Sequence, residues 1–142
     1  MKPTEPFSWV GDKREVFIVE DEGITALQFV RTVERLGYTV SGVADTGEEA
    51  LQMIDQHPPD IVLMDVSLRG EMSGTQTGEI LRQRMKLPVV FVTAYNNPAT
   101  LEEVRMAGGD GFLTKPLKVK ELEIALRSVL QSRDRNSRLN PD

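Results

Sequence analysis

Asp65 closes the apolar run DIVLM, and residues able to work with a carboxylate recur at matching places along the chain. Glu20 and Asp21 follow the run VFIV, Thr93 ends PVVFVT with Ala94 after it, and Lys115 and Pro116 follow GFLT. If one edge of a fold gathers them, it holds three carboxylates, a hydroxyl and an ammonium. Clustered carboxylates repel, and without a counter-ion at least one holds its proton, at about 1.4 kcal/mol per pKa unit. A hard divalent cation, Mg²⁺ or Mn²⁺, relieves the crowding. Mg²⁺ takes oxygen ligands in an octahedron: one or two carboxylates, waters and a phosphate oxygen. A lysine beside it supplies a point charge for an anion, and a threonine supplies a hydroxyl donor. A carboxylate in that company is equipped for phosphoryl transfer, where charge on the equatorial oxygens must be neutralised. The carboxylate can itself accept the phosphoryl group covalently.

Taken singly, each residue has a plainer explanation. Glu20 and Asp21 would cap a helix, Asp65 would be a loop acid, Thr93 a strand former and Lys115 a surface lysine. The joint reading prevails because all stand at equivalent places in successive units.

Those units are visible in the spacing. Five apolar, β-branched runs occupy 16–19, 39–44, 60–64, 88–93 and 111–114, separated by enough chain for a turn, a helix and a turn. The third and fourth runs are apolar without alternation, as strands covered on both faces of a parallel sheet must be. Between them, 23–36 carries Ile24, Leu27, Val30 and Val33 as an expected buried stripe, with Gly37 as its stop. Thr46 and Glu49 predict a capping box before a helix over 47–56. Asn97 and Pro98 predict the start of a helix over 98–107, closed by Gly108 and Gly109. The segment 75–85 is a weaker helix because of Gly78. Val119, Leu122, Leu126 and Val129 make 118–131 amphipathic. Residues 1–13 and 132–142 read as tails around one domain over 14–131. Five βα units with right-handed crossovers form an open, doubly wound α/β sheet, whose ligands sit outside the carboxyl ends of the strands.

Composition narrows the function. A net charge of −5 opposes direct nucleic-acid or anionic-membrane binding. The absence of cysteine excludes disulfides and thiolate chemistry, and a single histidine excludes a multi-histidine metal site. No secretory leader and no run of transmembrane length is present, so the expected location is the cytoplasm.

Glu20-Asp21, Asp65, Thr93-Ala94 and Lys115-Pro116 on five βα units resemble the response regulator receiver domains of two-component signalling, over about residues 14–131. The resemblance implies a flavodoxin-like (βα)5 sandwich with strand order 2-1-3-4-5. It implies Asp65 as phosphoacceptor from a histidine kinase or histidine phosphotransfer protein. Asp21 and Glu20 would hold the metal together with Asp65 and the backbone carbonyl of Ser67. Thr93 and Lys115 would meet the phosphoryl oxygens, Thr93 and Phe112 would form the switch, and the Lys115-Pro116 bond would be cis. Ser67 and Tyr95 would flank the site and tune phosphoryl lifetime. A stand-alone regulatory protein rather than a metabolic enzyme is expected, signalling to a protein effector or passing phosphate onward. Its dimer or output surface would be the fourth helix, fifth strand and fifth helix.

Departures from the family pattern are local. Arg69 stands where proline is frequent, Ser73 where aspartate often precedes Gly74, and Phe112 where tyrosine is common. Other readings are a phosphorylation-independent adaptor, a receiver fragment of a hybrid kinase or longer regulator, a flavodoxin-like cofactor protein and a haloacid-dehalogenase-like phosphatase. The acids after the first strand would repel an FMN phosphate, and Ser67 occupies the place of the phosphatase's second aspartate. His57 reads as a solvated turn residue. Trp9 and Phe7 are candidates for docking on the domain or a partner, and the charged run 133–138 reads as a solvated helix end.

Overall fold

Strands and helices alternate along the chain in the computed structural model, which describes residues 13–95 and 97–139, with side chains to residue 136. The order is β1 (Glu15–Val19), α1 (Gly23–Arg35), β2 (Thr39–Ala44), α2 (Gly47–Gln56), β3 (Ile61–Asp65), α3 (Gly74–Met85), β4 (Val89–Thr93), α4 (Pro98–Met106), β5 (Gly111–Thr114) and α5 (Val119–Leu139). The strands form one parallel sheet in the order β2-β1-β3-β4-β5. The expected doubly wound fold and its strand order are both present. Trp9 and Phe7 lie outside the described residues.

Alternation along each strand divides the interior into two layers. Val16 and Ile18 of β1 face a core with Phe29 and Val33 of α1 and Leu122, Leu126 and Leu130 of α5. Phe17 and Val19 face the other, with Ala50 and Ile54 of α2, Leu81 of α3 and Val104 of α4. β3 and β4 are buried at every position, which is why their sequences lack a polar alternation.

Helix starts follow their caps. Glu22 caps α1, its Oε1 accepting from the Thr25 amide at 2.8 Å. Thr46 caps α2 by accepting from the Glu49 amide at 3.1 Å. The reciprocal half of that box is displaced by one residue: Glu49 accepts from the Asp45 amide, also at 3.1 Å. Asn97 caps α4 with Pro98 in its first turn. α3 has an unexpected full capping box, formed by Ser73 and Gln76. Its Gly78 is required by packing, because a Cβ there would lie 2.5 Å from Cζ of Phe91. Gly109, after α4, meets the same ring from another direction, where a Cβ would lie 2.6 Å from Cδ2.

Two expectations are corrected. In α1 the buried residues are Ala26, Phe29 and Val33, while Ile24 and Leu27 are exposed. Residues spaced strictly by three drift about 60° per step around a helix of 3.6 residues per turn, so those four cannot share a face. In α5 the helix continues past 131 to Leu139, so the segment expected as a tail from 132 begins as helix, in keeping with the reading of 133–138 as a helix end. Arg14 pairs with Asp134 at 3.0 Å and Arg133 bonds the Asp60 carbonyl, which ties the extension to the start of the sheet.

Candidate functional site: an acidic cluster at the carboxyl edge

β1, β3, β4 and β5 end side by side, so Glu20 and Asp21, Asp65, Thr93 and Lys115 converge without any long-range loop. One carboxylate oxygen from each of Glu20, Asp21 and Asp65 can be chosen so that all three lie within 4.8 Å of one another. Glu20 and Asp65 are buried, at 2% and 3% exposure, and Asp21 is half-buried. Lys115 reaches in from β5, its Nζ 2.8 Å from Glu20 Oε1 and 3.4 Å from Asp65 Oδ2. The Phe29 ring lies beneath that ammonium, with its centroid at 6.0 Å.

Asp65 is oriented by the Ser67 amide, which donates to Oδ1 at 3.2 Å. That leaves Oδ2 facing Lys115. Thr93 is fully buried, and its Oγ1 accepts from the Tyr95 amide at 3.0 Å. The Lys115 amide donates to the Thr93 carbonyl at 2.8 Å, and the Lys115-Pro116 bond is cis. Tyr95 and Ser67 are exposed at the rim. Phe112 is half-buried and packs against the core that contains Phe91, its partner in the β4–β5 register.

The electrostatics follow from burial. Loss of water pushes the Glu20 carboxyl up from the ordinary 4.5 to about 7, and Asp65 adds to the rise while Lys115 opposes it. Asp65 is raised as well, chiefly by burial, with Lys115 again opposing. For Lys115, burial pulls its pKa down, but its close contact with Glu20 and the charges of Asp65 and Glu20 outweigh it and hold the ammonium charged. One ammonium does not balance this many acids. Glu20 Oε1 is buried and accepts no hydrogen bond of regular geometry beyond its close charge contact with Lys115. An all-oxygen, under-neutralised, partly preformed set of this kind fits a hard divalent cation.

The family comparison agrees with this edge. A family model described as the response regulator receiver domain matches residues 16–127. The chain belongs to that family. Among curated relatives of this receiver, the transcriptional regulatory protein PdtaR of Mycobacterium tuberculosis is 32% identical over 109 residues, covering 77% of this chain and 53% of its own length. The sensory transduction protein RegX3 of the same organism is 37% identical over 116 residues, covering 82% and 50%. The receiver thus spans about half the length of the curated relatives it matches. Among solved structures, the signal receiver domain of a modulated diguanylate cyclase from Desulfovibrio desulfuricans G20 superposes with a TM-score of 0.83 at 31% identity, covering 88% of this chain and 99% of that one. The N-terminal domain of a response regulator/sensory box/GGDEF protein from Carboxydothermus hydrogenoformans gives 0.78 at 33%, covering 87% and 98%. Receiver domains are regulatory and interact with histidine kinases. Among the described residues of this one, no helix is long and apolar enough to cross a membrane.

Every side chain expected at the site is on this edge or its rim, apart from Phe112, which lies within β5 opposite Phe91 and packs against the core that holds that ring. One neighbour was not expected. Arg69, in the loop after β3, contacts Asp21 through its backbone amide at 3.1 Å and through Nε at 3.5 Å. Its only signal in the sequence is a basic residue four places after Asp65, in a position without helical or strand periodicity.

Proposed function

We propose that this receiver is a divalent-cation-dependent phosphoacceptor that takes a phosphoryl group on Asp65 from a phosphohistidine and signals by a change of surface. The observation that carries the reading is the buried pair of Glu20 and Asp65 sharing one ammonium beside Asp21. An Asp65 oxygen forms the new bond to phosphorus while the phosphorus–nitrogen bond of phosphohistidine breaks, and the imidazole leaves with the bond pair and takes a proton. Glu20, Asp21, Asp65 and the Ser67 carbonyl are the groups to hold Mg²⁺ or Mn²⁺, which when bound neutralises phosphoryl charge. Lys115 pairs with a second phosphoryl oxygen, and the Thr93 hydroxyl donates to a third.

The acyl phosphate then shifts the balance between two arrangements of Thr93 and Phe112, as a ligand does when it binds one conformer better. Phe112 can gate by bulk alone, having no hydroxyl. Ser67 and Tyr95 border the path by which water reaches the acyl phosphate and so tune its lifetime. The partners in this reading are a histidine kinase or histidine phosphotransfer protein and a protein effector, met in the cytoplasm. The α4–β5–α5 face is the surface for output or homodimerisation. The acidic net charge of −5 argues against direct contact with nucleic acid by this domain.

Incubation with Mg²⁺ and acetyl phosphate followed by intact-mass measurement tests the reading. A gain of one phosphoryl group that is absent in Asp65→Asn and abolished by a chelator is the expected result. No gain from acetyl phosphate or from a phosphorylated histidine kinase would leave only the adaptor role.

A further inference from the structure

The three site acids are served by two resident cations of different kinds. Lys115 attends Glu20 and Asp65, and its side chain is 23% exposed. Among the described residues, no ion pair joins Lys115 to Asp21. Asp21 is served instead by Arg69, whose side chain is 78% exposed. The inner cation is therefore built in, and the outer one stands in water.

Backbone and side chain of Arg69 act separately on Asp21. The Arg69 amide donates to Asp21 Oδ2 at 3.1 Å, while Nε approaches the same oxygen at 3.5 Å. The amide is fixed by the fold, because Arg69 forms an isolated parallel bridge with Thr46 at the end of the neighbouring β2–α2 connection. Among the described residues, the guanidinium pairs with Asp21 and also acts on the charge of neighbouring Glu22, with no ion pair to a third residue. When it swings away, Oδ2 keeps its amide donor and its orientation but loses its counter-ion.

We propose that the Arg69 guanidinium is a displaceable counter-ion for Asp21, which a divalent cation must replace and which thereby sets the metal affinity and salt sensitivity of the site. The proposal rests on the reading of Glu20, Asp21 and Asp65 as a divalent-cation site. A long, exposed arginine is suited to this role. Its pairing is weak, so it yields to a metal, yet it keeps the crowded acids tolerable before one arrives. Arg69 is a positioning residue here, acting on the metal through Asp21.

The test is titration of Mg²⁺ into the whole chain by calorimetry, in wild type, Arg69→Ala, Arg127→Ala and Asp21→Asn, at low and high ionic strength. Arg127→Ala removes the same net charge from α5, where Arg127 pairs with Glu123 far along the chain. Arg69→Ala is expected to bind Mg²⁺ roughly two- to fivefold more tightly at low salt, the range set by an exposed ion pair. The gain is expected to shrink at high salt as the pairing is screened in wild type. Arg127→Ala should match wild type. An unchanged or weaker affinity in Arg69→Ala, or an equal gain in Arg127→Ala, overturns the role of Arg69 while Mg²⁺ binding by wild type still upholds the site. Absence of Mg²⁺ binding in wild type, or binding undiminished in Asp21→Asn, overturns both.

Discussion

The two ends of the same sheet use the same residue types to opposite effect. At the amino edge each acid is matched to its own donors. Asp60 accepts from the Glu15 amide at 2.7 Å, Asp110 accepts from the Val89 amide at 2.8 Å and pairs with Arg82, and Asp134 pairs with Arg14. At the carboxyl edge Glu20 and Asp65 share one ammonium, and Asp21 leans on an exposed arginine. The first arrangement closes strand ends and stabilises the fold. The second carries unmet negative charge that folding tolerates at a cost, and that is the edge able to recruit a cation. Charge that is fully paired secures the scaffold; charge left over can take a cation.

Substitutions of opposite sign at the two edges would break this contrast if it is wrong. The largest effect is expected from Asp110→Ala, which leaves the amide of fully buried Val89 without its acceptor. It should lower stability by about 2 kcal/mol, or about 6 °C in melting temperature. At the other edge, Glu20→Gln should raise the stability of chelator-treated protein at pH 8, by about 1 kcal/mol once the lost Lys115 pairing is set against relief of the buried charge. Thermal melts of both variants decide the matter, and a destabilised Glu20→Gln at pH 8 without metal would sink the idea.

The pH dependence sharpens the same point. Glu20 titrates near 4.5 when unfolded and near 7 when folded, so the folded state holds more protons between those values. Its contribution is intact below about 4.5 and lost as pH rises through 7, and the raised Asp65 acts in the same direction. Without divalent cation, stability should therefore fall from pH 5.5 to pH 8 by about 1 kcal/mol, and Glu20→Gln should flatten the curve. Mg²⁺ should stabilise more at pH 8 than at pH 6, because at the lower pH it must displace a proton. Equal Mg²⁺ stabilisation at both values would contradict the raised Glu20. The smallest effect belongs to the amino edge: Asp134→Ala removes a half-exposed ion pair and should cost about 0.5 kcal/mol in a denaturant titration.

Much of this is legible in the sequence because short βα units place their strand exits on one edge whatever their loops do. Glu20, Asp65, Thr93 and Lys115 can be assembled by counting residues after apolar runs. What stays hidden depends on rotation and reach. The buried face of α1 turns on Phe29 and Ala26, which a stripe of threes through Ile24 and Leu27 misses by half a turn of phase. The Ser73–Gln76 box is masked by the low helix propensity of Gly78 just beyond it. The contact of Arg69 with Asp21 joins residues 48 apart in sequence through a loop, where no periodicity reports direction. The contacts of the α5 extension with Arg14 and Asp60 come from elsewhere in the chain, and no periodicity reports them.

The ring of Phe91, wedged between Gly78 and Gly109, limits how this chain can change over generations. Any side chain at either glycine collides with the ring, and a smaller residue at 91 leaves a void between α3 and the α4–β5 turn. Each single step is therefore penalised, while a reduced ring together with an alanine at Gly78, whose next neighbour is Val89 Cγ1 at an ordinary 3.5 Å, restores the filled volume. The three positions pack as one unit, so a double substitution at Phe91 and Gly78 should be milder than the sum of its parts.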